Sequence, residues 1–184
     1  KLPVRPHIVG HSMGGKIVMA LLLKRPKLVN KAVVVDIAPV SYSQRDGGSH
    51  NRIIDFMANF DLSRLHSREE VKEAIQQHFR TERSQQLFLK NIKKTSSGFE
   101  WKINHQVISK HFDEISGCPS LPNSTYNKEI LFIKGEQSNL ITGIECLQKE
   151  FPAARLIELP QCGHWIHSEQ PEKLAQAIRN FLLG

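Results

Sequence analysis

A chain of 184 residues with 40% hydrophobic and 23% charged content, 11 Gly and 9 Pro lies in the ordinary globular range. That composition excludes a collagen-like, low-complexity or disordered chain and fits a medium-sized globular unit with a substantial core. The longest apolar run after the first glycine cluster, Ile17 to Leu23, is far short of the roughly 20 residues of a membrane-spanning helix, so a soluble chain without a transmembrane segment is expected. The net charge of +7 is unevenly spread: residues 1–40 hold seven Lys/Arg and one acid, residues 41–117 twelve against ten, and residues 118–184 six against seven. Lys24, Arg25, Lys27 and Lys31 close an apparent helix whose dipole they complement, so the excess reads as a solvated face and no nucleic-acid partner is expected. Cys118, Cys146 and Cys162 show neither metal spacing nor a disulfide framework, which predicts a reducing, intracellular compartment and no metal. Asn123-Ser124-Thr125 reads as a chance sequon.

In chain order, His7-Ile8-Val9 is a short apolar strand running into Gly10-His11-Ser12-Met13-Gly14-Gly15, and Lys16 to Lys24 is a largely buried helix stopped by Pro26. Lys31 to Val35 is a β-branched run, the pattern of a parallel strand buried on both faces, and it ends on Asp36. From Ser41 to Gly117 the pattern turns helical. Ile53, Phe56, Met57 and Phe60 share helical spacing, and Ser67-Arg68-Glu69-Glu70 is a capping box for a helix through Phe79. Gln85–Lys94 and Asn104–Ile115 read as further helices, with a brief alternation at Phe99, Trp101 and Ile103 between them. A Pro/Ser/Asn-rich link, Cys118 to Asn127, leads to a strand over Glu129–Lys134 and a helix over Gly143–Phe151. A strand over Arg155–Leu159, the turn Gln161-Cys162-Gly163-His164 and a helix over Pro171–Leu183 complete the chain. Alternating strands and helices predict an α/β fold with an open, mostly parallel sheet and helices on both faces. The expected division is 1–40 and 118–184 as core, with 41–117 as an inserted helical cap.

Gly10-x-Ser12-x-Gly14 between a strand and a helix has the context of a nucleophile elbow. Such a turn lifts the Ser12 hydroxyl clear of the backbone and leaves the Met13 amide to donate to a developing oxyanion. A serine hydroxyl needs a base to take its proton and a third group to hold that base in the right tautomer. His164, in Gly163-His164-Trp165 after the last strand, is the expected base. His11 and His167 are its rivals, while His50, His66, His78 and His111 fall in cap sequence and read as surface residues. For the acid, Asp36 at the end of its strand is favoured over Glu136, which follows the later strand.

Four motifs then carry a resemblance: Gly-His-Ser-Met-Gly-Gly-Lys (10–16), Val-Asp-Ile-Ala-Pro-Val (35–40), Phe-Glu-Trp-Lys-Ile-Asn (99–104) and Gly-His-Trp-Ile-His (163–167). The chain resembles, over its whole length, the α/β-hydrolase subfamily of bacterial acyl esterases, mitochondrial α/β-hydrolase-domain proteins and yeast ethanol acetyltransferases. The resemblance implies that Asp36 is the triad acid and that Ser138, in Gly-Glu-Gln-Ser, lies close to the triad, with His11 and Trp165 also near the site. It implies a serine hydrolase acting on short or medium acyl esters or thioesters, in some members with transfer to an alcohol, without a cofactor, and with a mitochondrial address. Family members carry further strands before the elbow, so an N-terminally truncated fold with an exposed sheet edge is expected. Phe56, Met57, Phe60, Phe88 and Trp101 of the cap are candidate lining for the acyl pocket. The alternatives are a carbon–carbon bond hydrolase or lyase on the same triad, and a non-catalytic scaffold or fragment.

Overall fold

The computed structural model describes residues 4–42, 48–96, 98–117 and 124–184. Cys118 and the link residues up to Asn123 lie outside the described residues. The chain divides into two compact units, residues 1–42 with 114–184 and residues 43–113.

The first unit is built on a parallel sheet of strands β1 (Ile8–His11), β2 (Ala32–Val35), β5 (Ile130–Gly135) and β6 (Ala154–Leu159), adjacent in that order. All three pairings are parallel. Helix α1 (Met13–Lys24) makes the crossover from β1 to β2. The β-branched run of β2 is buried at every position because successive side chains leave opposite faces and both faces are covered. On one face, Val34, Ile130 and Phe132 pack with Val18, Met19 and Leu22 of α1 and with Phe151. On the other, Val33, Val35, Leu131 and Ile133 pack with Leu174 and Phe181 of α9 (Pro171–Leu183) and Ile166 of the short α8 (Ile166–Glu169). Strands β1 and β6 are the sheet's edges among the described residues, and Val9 of β1 with Met13 and Ile17 of α1 remain exposed.

The helix expected over Gly143–Phe151 is shorter. Only Glu145–Gln148 (α7) is helical, and Leu147 and Phe151 reach the core through the turns around it.

The second unit contains α2 (Gly48–Asn59), α3 (Arg68–His78), α4 (Glu82–Lys90), strands β3 (Ile92–Thr95) and β4 (Gly98–Trp101), and α5 (His105–Lys110). Ser67 caps α3 by accepting the Glu70 amide, and the Glu70 carboxylate accepts the amide of His66. Two helical expectations need correction. The helix placed over Gln85–Lys94 ends at Lys90, and residues 92–95 form an antiparallel hairpin with 98–101. The run Ile92-Lys93-Lys94 suits a strand because Ile92 is buried in the unit's core while Lys93 pairs across the hairpin with Glu100 at 2.8 Å. The helix placed over Asn104–Ile115 is broken at His111 into α5 and α6 (Phe112–Ser116).

The five residues offered as acyl-pocket lining belong to this unit's own core. Phe88 has no exposed surface and Met57 is 4% exposed, while Met57, Phe60 and Trp101 also border a cavity within the unit. Phe56, Phe60 and Trp101 are partly buried against them, with Phe56 at the centre of a ring cluster that includes Phe79 and Phe88.

Candidate active site

The four residues after which the sheet's strands turn are brought to one edge. Ser12 follows β1, Asp36 follows β2, Ser138 lies three residues beyond β5 and His164 lies five beyond β6. The backbone keeps these ends in register beyond the strands themselves: the amides of Ser12, Asp36 and Glu136 donate to Val35, Ile133 and Leu159 respectively. The carboxyl edge of a parallel sheet is where such folds place their sites, because the strands all deliver loops there.

Ser12 is held at φ 54° and ψ −123°, a conformation costly for a residue with a Cβ by about 1–3 kcal/mol. The turn survives because Gly10 lets the chain close tightly on itself. A Cβ at Gly10 would run into the Gly14 carbonyl and stand 2.7 Å from Val18 Cγ2. Gly10→Ala is therefore expected to destabilise the fold by about 1–3 kcal/mol, read as a lower midpoint in chemical denaturation.

The Ser12 hydroxyl lies 3.0 Å from Nε2 of His164, and Nδ1 of His164 lies 2.9 Å from the Asp36 carboxylate. A carboxylate can only accept, so Nδ1 carries the proton and the Nε2 lone pair faces the serine O–H. Asp36 is fully buried and accepts three donors: the His164 ring, the Ser138 hydroxyl at 2.5 Å and the Gly135 amide at 3.1 Å. Those donors compensate the buried carboxylate, which is how a charge tolerates such a position. Asp36 also has a positive φ of 51°, which turns the chain at the end of β2. Glu136, the alternative acid, is occupied elsewhere: it accepts the Gln161 amide at 2.8 Å. Met13 begins α1, so its amide stands at the positive end of that helix beside Ser12.

His11, Trp165 and His167 gather around His164. The His11 ring lies 4.7 Å from that of His164 and 5.0 Å from that of His167, and Trp165 is 5.7 Å from His164. Burial pushes the His11 pKa down against the opposing pull of its bond to the His164 carbonyl, and the two neighbouring imidazoles add to the fall.

Several contacts around the site have no local signature in the chain. The Glu169 carboxylate accepts the Gly163 amide at 2.5 Å, immediately before His164. The Tyr42 hydroxyl accepts from the Ala38 amide at 2.9 Å and donates to the Leu140 carbonyl at 2.5 Å, strapping the Asp36 loop to the Ser138 loop. Lys16 is buried, donates to the Gly117 carbonyl and sits over the Tyr42 ring. Cys162 is buried in the same loop as His164, and burial pushes its thiol up, away from the reactive thiolate.

A parallel sheet with a strained serine at its carboxyl edge, an imidazole against that serine and a buried carboxylate behind it defines the α/β-hydrolase class. The family model described as the alpha/beta hydrolase fold matches residues 3–171, and the chain belongs to that family. It is 31% identical over 181 residues to the sn-1-specific diacylglycerol lipase ABHD11 of Danio rerio, covering 95% of this chain and 56% of the relative. It is 32% identical over 176 residues to the esterase YbfF of Escherichia coli K12, covering 95% of this chain and 66% of the relative. Among solved structures, a marine microorganism esterase superposes with a TM-score of 0.87 at 32% identity, covering 95% of this chain and 69% of that one. The chain thus spans between half and two thirds of the length of these two curated relatives. Among the described residues no helix is long and apolar enough to cross a membrane.

Proposed function

We propose that the protein to which this chain belongs is a serine hydrolase of carboxylic esters, with Ser12 as nucleophile, His164 as general base and Asp36 as the acid that orients it. The observation that carries this reading is the continuous relay from Ser12 Oγ to His164 Nε2 and from His164 Nδ1 to Asp36. Ser12 Oγ attacks the acyl carbonyl carbon while Nε2 of His164 takes the hydroxyl proton. The carbonyl oxygen gains the negative charge, which the Met13 amide at the α1 N-terminus stabilises. As the tetrahedral intermediate collapses, the bond to the leaving oxygen breaks and His164 returns the proton to it. The acyl group is now on Ser12. Water then attacks the acyl-serine, again losing its proton to His164, and the acid departs with Ser12 restored.

Names given to relatives, esterase and sn-1-specific diacylglycerol lipase, support an ester as the substrate. Short or medium acyl esters are the proposed class. A thioester fits the same steps with a thiolate leaving, and an alcohol in place of water gives acyl transfer. A series of p-nitrophenyl esters of increasing acyl length tests the reading, with turnover expected at short to medium lengths and falling as the chain grows. A carbon–carbon bond hydrolase or lyase using the same three residues ignores the entire series.

A further inference from the structure

We infer that His11 is a positioning residue that fixes the main chain of the base to the segment carrying the nucleophile; this inference rests on the serine-hydrolase reading above. His11 Nε2 lies 2.8 Å from the main-chain carbonyl oxygen of His164. A carbonyl can only accept, so Nε2 carries the His11 proton and donates it. Residues 11 and 12 therefore reach residue 164 at two points: Ser12 meets its ring and His11 meets its backbone. With the peptide between His11 and Ser12, the two contacts close a loop of bonds around the reacting pair.

The need for such a tie follows from the origin of the two partners, which are 152 residues apart and come from loops at opposite edges of the sheet. Asp36 holds the His164 ring at Nδ1, yet a ring held at one end still moves if its Cα moves. The backbone of the loop is gripped before the base by Glu169 at Gly163 and by Glu136 at Gln161. His11 supplies the grip on the base's own carbonyl. Its ring also packs at 4.7 Å from the His164 ring, tilted by 32°, and against His167 edge-on. A neutral ring suits this place, since a cation there would oppose the imidazolium that forms on His164 during each half-reaction. Displacing a reacting group by about 1 Å costs on the order of 100-fold in rate, so a bond that sets this separation belongs to kcat and not to substrate affinity.

The test compares His11→Phe, which keeps an aromatic ring against His164 and His167 but has no N–H, with His11→Gln, which keeps a donor. Steady-state kinetics on a p-nitrophenyl ester, the rate of labelling by a fluorophosphonate and the thermal midpoint are measured for both, with Ser12→Ala as control. H11F is expected to lower kcat and the labelling rate by about 10- to 100-fold with KM unchanged, and H11Q to recover most of that loss. Wild-type kcat in H11F overturns the inference, as do equal losses in H11F and H11Q that track a fall in thermal midpoint. Should H11F not fold, 15N NMR of the histidine side chains in the unmodified protein decides: His11 protonated at Nε2 supports the tie, and protonation at Nδ1 alone overturns it. Retained labelling in S12A defeats the serine-hydrolase reading itself, whereas a silent S12A beside a fully active H11F defeats only the role of His11.

Discussion

Replacing Ser12 by alanine is expected to lower ester turnover by about 10⁴- to 10⁶-fold and to abolish fluorophosphonate labelling, with the fold retained. The size of the effect follows from the site's division of labour. His164 and Asp36 have no other acceptor for the acyl group, so removing the hydroxyl removes the covalent intermediate and leaves only the helix-end amide and binding to act on the ester. Alanine keeps the Cβ and bears the same backbone strain in the elbow, losing only the hydroxyl's contact with His164. Circular dichroism should therefore match that of the unmodified protein. A variant that keeps labelling or turnover places the nucleophile elsewhere.

Asp36→Asn is the second large effect, a loss of about 10⁴-fold in kcat. Three donors converge on the Asp36 carboxylate, from His164, Ser138 and Gly135. An amide has one accepting oxygen and an NH2 group, so at least one of these donors meets another donor. Ser138 can rotate its hydroxyl to accept instead, and the Gly135 amide cannot. If the NH2 faces the imidazole, Nδ1 becomes the acceptor, the proton moves to Nε2 and the lone pair that takes the serine proton is lost. Burial adds a stability cost of about 1–3 kcal/mol for a donor left unpaired. The kinetic loss is measured on the same ester, and the stability loss as a lower denaturation midpoint. A D36N protein with kcat within tenfold of wild type contradicts the role given to Asp36, by the roughly 1.4 kcal/mol that a tenfold change represents.

How much of this was legible in the chain varied with the range of the interaction. Ser12 was readable because its turn is local: an apolar strand, Gly10 at a point of close approach and a helix start all lie within a few residues. Asp36 was readable because a β-branched run buried on both faces has to end at the sheet's carboxyl edge, where a charged residue demands partners. His164 stood out by its glycine turn after the last strand. The contacts that hold these residues in place were not readable, since each joins segments far apart in sequence: Tyr42 with Leu140, Glu136 with Gln161, His11 with the carbonyl of His164. Neither the composition nor the periodicity around Tyr42 signals a hydroxyl that straps two loops.

In the second unit two helices depart from the sequence pattern for a different reason. Ile92-Lys93-Lys94 following an amphipathic stretch looks like the last turn of that helix, with lysines favourably near its end. Pairing decided otherwise. The cross-strand partners of Lys93 and Lys94 are Glu100 and Phe99, and the first of them supplies an ion pair. Short alternating segments are weak signals until a partner strand is known. The aromatic residues of this unit, candidate lining for an acyl pocket, also pack on one another. Phe56, Phe79 and Phe88 meet edge-on or tilted within one cluster, the ordinary fate of aromatics at helical spacing.

A serine mechanism requires an acyl group carried on Ser12. Incubation with a short-chain p-nitrophenyl ester, rapid acid quench and peptide mass spectrometry locate that group directly. The mass of one acyl group is expected on the peptide containing Gly10-His11-Ser12-Met13-Gly14, and its absence in S12A. Turnover with the acyl group on another residue, or persisting in S12A, contradicts it.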